Sequence, residues 1–169
     1  SVDLQLFLAR EHTAYARFCR AWAQSALAVA DGAALLAAAA HHEAKASSIL
    51  SVMEKYLWSE QLGFYVGLNM SSGAPITART YLMGMPLWGG AAPAAHAAKI
   101  VANLQRADMM SEWGVRSTSA DDPRYSNANI IVPYSNWRGP VWINVNAILV
   151  YGMVSQAYAG TAAADAALQ

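Results

Sequence analysis

YSNWRGPVWINVN, residues 134–146, sets two tryptophans, an arginine and three asparagines around a Gly-Pro step. Pro140 suits a first helical position, because its missing N–H is not needed there, and it predicts a helix from Pro140 to about Tyr158. A plain cap would suffice to start that helix. The aromatics and amides gathered at its entrance therefore need another reason.

Working outward, the chain is Ala-rich and mostly helical in pattern. Leu4, Leu8, Tyr15, Phe18, Trp22 and Val29 recur at helical spacing and predict one long amphipathic helix over residues 3–30, with Asp3 as its N-cap and Gly32 as its stop. Ala46, Leu50, Met53 and Leu57 predict a second helix over 33–57, joined to the first as an antiparallel hairpin. Residues 58–90 are rich in glycine and aromatics, with β-like pieces near 64–68 and 80–83. A third helix is expected over 92–105 with Pro93 in its first turn, and a further helix starts near Thr161. Connections longer than twenty residues are unusual in compact helical proteins and are generally functional. Short turns at one end and elaborate loops at the other predict an all-α fold, part of an α/α toroid. Helix hairpins would form its wall, and long aromatic-rich loops would gather on one face around a pocket.

Composition fits this plan. The 169 residues are 56% hydrophobic and only 13% charged, so little of the surface is ordinary charged face. Such a chain buries its helices on several sides, or is a piece of a larger domain whose flanks are covered. Net charge is zero and well mixed, which predicts no nucleic-acid and no membrane partner. The apolar run 23–40 is interrupted by Asp31-Gly32 and reads as two helices at a turn. A single cysteine, Cys19, lies within a helical pattern and reads as a buried thiol. With no disulfide possible within the chain, a reducing, cytoplasmic setting is expected.

Several tempting motifs fail on spacing. HHEAK, residues 41–45, lacks the second histidine four positions on that a zinc-protease helix requires, and reads as exposed helix surface. His12 and His96 stand alone on other helices, so no metal and no cofactor are expected. Asn69-Met70-Ser71 is a formal glycosylation sequon that matters only in a secretory compartment. Asp121-Asp122 precede a proline and read as turn chemistry rather than an acid/base pair.

The aromatic set carries the functional signal. Trp58, Phe64, Tyr65, Tyr81, Trp88, Trp113, Tyr125, Tyr134, Trp137 and Trp142 all fall in expected loops or at a helix entrance. Aromatic faces beside amides and guanidiniums suit a sugar, whose C–H faces stack while its hydroxyls take directed hydrogen bonds. Arg138 and Arg116 could pair with a substrate carboxylate, or with an acid such as Asp122. Gly139 lets backbone come close, and a helix opening at Pro140 would aim its positive end at the cavity. A plainer reading has Trp137 and Trp142 simply plugging the toroid.

NWRGPVWINVN resembles the signature of trehalase-like glycoside hydrolases of family 63, and within it the mannosylglycerate and glucosylglycerate hydrolases. VDLQLFLARE, LWSEQLGFY, PLWGG and EWGVRSTS occur in that family's order, so the resemblance spans nearly the whole chain. It implies an (α/α)6 toroid and inverting hydrolysis of the α-glycosidic bond of a small glucoside or mannoside, with one carboxylic acid and one carboxylate acting on opposite faces of the sugar. The family's general acid precedes the helix that begins VDL, and its general base follows the helix after WRGPVW. Residues 1–169 are thus expected to be a partial catalytic domain, truncated at both ends. They would supply substrate-binding loops and neither catalytic carboxylate. The resemblance implies substrate contacts at Trp137, Arg138, Gly139 and Trp142, and further ones at Tyr134, Tyr65, Trp88 and Arg116. The isolated chain is expected to be inactive and to self-associate through apolar flanks. Two rivals remain open: a carbohydrate-binding or structural helical module without chemistry, and another toroid enzyme such as a phosphorylase or lyase.

Overall fold

The computed structural model describes residues 1–25, 32–128 and 137–158, and side chains through residue 155. Helix α1 runs Val2–Ala23 and helix α2 Gly32–Leu57. The N-cap of α1 is Ser1. Asp3 lies instead in the first turn, where a carboxylate complements the positive helix end. Gly32 opens α2 rather than closing α1, so the single helix expected over 3–30 ends at Ala23. Val29 lies outside the described residues.

α1 and α2 pack along a seam of small residues. Ala9, Ala16 and Cys19 are buried on α1, and Ala39 and Ala46 on α2. Small side chains let the two backbones come close, and Arg20 forks onto Glu43 across the hairpin at 2.7 and 2.6 Å. The apolar stripe read from spacing is not this seam. Leu4, Leu8, Tyr15, Phe18 and Trp22 are exposed, Phe18 by 59%, while Val2, Leu6, Ala9, Ala16 and Cys19 are buried. Helical periodicity finds an apolar face but cannot say which of two such faces is covered. Here the face of small residues is covered, and the face of large ones is not.

The main core lies where the first turns of α1 meet the rest of the chain. Leu6, Met53, Phe64, Leu87, Ile100, Leu104 and Leu149 are all nearly inaccessible within one cluster. Phe64 and Tyr65, read as a β-like piece within a long loop with Tyr65 as a substrate contact, belong to this core because their short strand is laid against α2 and the helix over 94–104. β1 (Trp58–Ser59) pairs antiparallel with that strand, β2 (Phe64–Tyr65). β3 (Gly67–Leu68) pairs with β4 (Pro75–Ile76), and β5 (Met110–Ser111) with β6 (Gly114–Val115).

Residues 80–83 are not strand. Thr80 accepts a hydrogen bond from the Leu82 N–H and caps a 3-10 turn, Tyr81–Gly84. Helix α3 (Met85–Gly89) follows directly and was not anticipated. Its bed is set by close backbone packing: a Cβ on Gly152 would lie 2.5 Å from the Trp88 nitrogen. Helix α4 covers Ala94–Leu104 with Pro93 as its N-cap. Helix α5 covers Ile143–Tyr158, so Pro140 precedes the helix instead of opening it. The helix expected from Thr161 lies outside the described residues.

Candidate functional site

Four loop segments lie side by side at the end of the molecule where α1 begins. Thr80 and Thr118 form one antiparallel bridge, and Arg116 and Val141 form another. The Tyr81 N–H donates to the Ser117 carbonyl, and the Ser119 N–H to that of Arg79. On the other edge, the Ser117 N–H donates to the Pro140 carbonyl, and the Ser126 N–H to that of Arg138. Side chains reinforce the layer: Ser117 Oγ accepts from the Gly139 N–H at 3.0 Å, and Thr118 Oγ1 donates to the Trp137 carbonyl at 2.9 Å. Pro140 thus serves as an acceptor in this layer. The picture of a helix end aimed from Pro140 into a cavity is not what forms.

Trp137 and Trp142 stack on one another, with ring centroids 4.5 Å apart and 14° between planes. Tyr81 leans on Trp137 at 5.4 Å. Burial, and then the carboxylate of Asp3, push the Tyr81 phenol above its ordinary pKa. Asp3 therefore stands close to this aromatic group, although spacing reads it only as a cap. Four buried side-chain atoms on these segments and on the first turn of α1 have no hydrogen-bond partner: Asp3 Oδ1, Arg79 Nε, Arg138 Nε and Trp142 Nε1. Buried polar atoms without partners are rare, and each such atom costs about 1–3 kcal/mol of folding stability. All four lie on this loop layer, at the start of α5 or on the first turn of α1. Asp3 and Arg79 were missed as site residues because neither belongs to an aromatic motif.

The other expected contacts divide. Gly139 is buried, and what comes close to it is the chain itself: a Cβ there would lie 2.7 Å from the Ser126 carbonyl oxygen. Gly139 and Arg116 line a cleft of about 660 Å³ with Glu112, Trp113, Tyr125 and Asn127. Trp113 is 79% exposed at its rim. One amino group of Arg116 already donates to the carbonyls of Ala107 and Met110, at 3.1 and 2.7 Å. Trp88 packs edge-on against Phe7 and lies under the Arg10 guanidinium, which also donates to the Trp88 carbonyl. Tyr65 is far from loop-like. It is 3% exposed and its hydroxyl donates to Glu54 at 2.6 Å. Burial, and then that carboxylate, raise its pKa well above the phenol range. Tyr134 lies outside the described residues.

The acidic candidates are committed to structure. Asp122 accepts from the Arg124 N–H and from its guanidinium, which holds the carboxyl below its ordinary pKa. It is therefore not the partner of Arg138 or Arg116. Burial works against ionisation of Asp108, but hydrogen bonds from Ser119 and Arg106 outweigh it and lower the carboxyl. Neither His12 nor His96 stands alone. His96 stacks on Trp58 at 3.5 Å and lies 3.2 Å from Glu54, and His12 meets His42. Among the described residues no group of three or more His, Cys, Asp or Glu side chains could hold a metal.

The sequence model of the mannosylglycerate hydrolase MGH1-like glycoside hydrolase domain matches residues 8–168. The chain belongs to this family.

The chain is 29% identical over 107 residues to a mannosylglycerate hydrolase from one strain of Thermus thermophilus, covering 63% of this chain and 24% of that protein. It is 27% identical over 118 residues to a mannosylglycerate hydrolase of Rubrobacter radiotolerans, covering 69% of this chain and 26% of that protein. The chain thus spans about a quarter of the length of these relatives. The crystal structure of the family 63 mannosylglycerate hydrolase from another Thermus thermophilus strain, in complex with Tris, superposes with a TM-score of 0.60 at 25% identity. That match covers 96% of this chain and 35% of the enzyme. Neutral trehalase of Saccharomyces cerevisiae superposes with a TM-score of 0.69 at 20% identity, over 94% of this chain and 28% of the trehalase, and bears on the fold alone. The fold of this MGH1-like chain is accordingly all-α, part of an (α/α)6 toroid. No helix among the described residues is long and apolar enough to cross a membrane.

Proposed function

We propose that this chain is the substrate-contacting part of an inverting glycoside hydrolase that acts on a small α-glucoside or α-mannoside bearing glycerate. Membership in the MGH1-like family supports the reaction class, and the names of its relatives support the glycerate conjugate. The observation that carries the reading is the stacked Trp137–Trp142 pair, with unpartnered Arg138 Nε and Trp142 Nε1 beside it. Stacked indoles offer flat apolar faces to a sugar ring, and orphaned donors favour hydroxyls or a carboxylate.

In this reading Trp137, Trp142, Tyr81 and Arg138 bind, with Asp3 and Arg79 completing the polar set. Gly139 and Arg116 shape the loop layer that carries them. Tyr65 and Trp88 act at a distance by fixing the core and α3. General acid and general base come from other parts of the toroid, which requires no cofactor. The order of the family's motifs supports that assignment, as does the commitment of Asp108 and Asp122 to local partners.

Sugar release from mannosylglycerate and glucosylglycerate by a protein carrying this chain within a complete toroid tests the proposal. Free sugar should appear first as the anomer opposite to the bond cleaved, as read by proton NMR. Trp137→Ala or Arg138→Ala in that protein should reduce kcat/KM at least tenfold. The chain alone should release nothing. Failure to release sugar from either conjugate or from a panel of simple α-glucosides and α-mannosides would sink the proposal.

A further inference from the structure

His12 and His42 come from different helices, and their Nδ1 atoms lie 2.7 Å apart. The positions are equivalent on the two sides of the seam. His12 is three residues after Ala9 and four before Ala16, and His42 is three after Ala39 and four before Ala46. The alanine layers hold the backbones close, and the histidine layer between them has two imidazoles where an apolar pair would pack without polar demands. Their rings are 4.9 Å apart, with the Tyr15 ring 4.5 Å and the His41 ring 5.4 Å from that of His42. Glu43, next to His42 in sequence, is engaged by the Arg20 fork, and Glu11, next to His12, is exposed and forms no three-ligand group with the pair.

We propose that His12 and His42 form a two-histidine site for a late first-row divalent cation, with water completing the coordination. Two metal–nitrogen bonds of about 2.0–2.1 Å set the nitrogens about 2.9 Å apart at a right angle and about 3.3 Å apart at a tetrahedral angle. The observed spacing opens to the first by a small side-chain rotation, and to the second only by a larger one. A right-angled pair is the arrangement of tetragonal Cu(II) or Ni(II), and copper also heads the general affinity order. The site therefore prefers Cu(II), then Ni(II), then Zn(II).

Proton balance is simple. The neutral pair shares one Nδ1–H, and that ring binds metal after its proton moves to Nε2, so no net proton is released above the imidazole range. Below it, protonation competes with the metal. The cation would bridge α1 to α2 at mid-helix, away from the loop layer. It would act on the hairpin and not on the sugar site.

The test is titration of the chelator-stripped chain with CuCl₂, NiCl₂ and ZnCl₂ at pH 7.5, followed by calorimetry and by electron paramagnetic resonance for copper. One Cu(II) per chain should bind, with hyperfine splitting from two nitrogens and a rise in Tm. His12→Leu and His42→Leu suit the apolar seam and should keep the helical circular dichroism while weakening copper binding at least tenfold. His41→Ala and His96→Ala should leave it unchanged. Absence of saturable binding, unchanged affinity in either leucine variant, or an equal loss in His41→Ala would each overturn the assignment.

Discussion

Asn146 acts as a peptide group inserted between elements. Its Oδ1 accepts from the buried Val115 N–H at 2.8 Å, and its Nδ2 donates to the carbonyls of Val115 and Trp142. This pins the β5–β6 hairpin to the start of α5, next to the tryptophan pair. Asn146→Ala strands Val115 N–H in the core and should lower unfolding free energy by about 1–3 kcal/mol. A urea midpoint for the variant within error of the parent would contradict that. Nothing in the order of letters distinguishes Asn146 from the solvent-facing Asn144, since a clamp is defined by what lies opposite it. The same limit hid Asp3 and Arg79, whose neighbours come from distant segments. Trp137, Arg138 and Trp142 were legible because an aromatic, arginine-bearing helix entrance is odd on its own terms.

At the scale of elements, the α1–α2 hairpin carries a built-in acid sensitivity. Burial first, and then the nearby charges of His12, His41 and Lys45, lower the His42 pKa below its ordinary 6.5. The Tyr15 ring faces it, and the Arg20–Glu43 fork is internally neutral. The unfolded chain then binds more protons than the folded one just below the ordinary value, so stability rises with pH through that window and is lost on acidification. The Tm of the metal-free chain should fall between pH 7.5 and pH 5, and His42→Leu should flatten that slope. The carboxyls of Glu43, Glu60, Asp108 and Asp122 are held low, so their contribution is lost only at more acid pH. An identical slope in His42→Leu would refute the assignment. Spacing located the long periodic helices because each repeats its pattern over several turns, and it placed the ends of α2, α4 and α5 to within about three residues, but it ran α1 past its end at Ala23. The five-residue α3 was not, since its sequence is that of a glycine-rich loop and only packing against Leu6 and α5 makes it a helix.

For the whole molecule, the decisive feature is the large apolar face left bare. Phe7, Tyr15, Phe18 and Trp22 on α1 are each about half exposed. At roughly 150–250 Å² per aromatic side chain, these four alone leave on the order of 400 Å² uncovered. That already matches the largest patch of a typical monomer, and Leu4 and Leu8 extend it. α5 adds Ile143, Val150, Tyr151 and Val154, and both helices pack on α3. Spacing showed that α1 has an apolar stripe. It could not show that this stripe stays exposed, since burial is a property of the assembled fold. In the toroid relatives this chain corresponds to little more than a third of the length, which leaves ample chain to cover such a face. Alone, it should cover the face with copies of itself. Sedimentation velocity of the 18.1 kDa chain should show species heavier than a monomer that grow with concentration. Replacing Phe7, Phe18 and Trp22 together with serine should shift the distribution to the monomer while the Ala seam and the core around Leu6 stay intact. A chain that sediments as a monomer at high concentration and melts in one sharp transition would show that the face needs no cover.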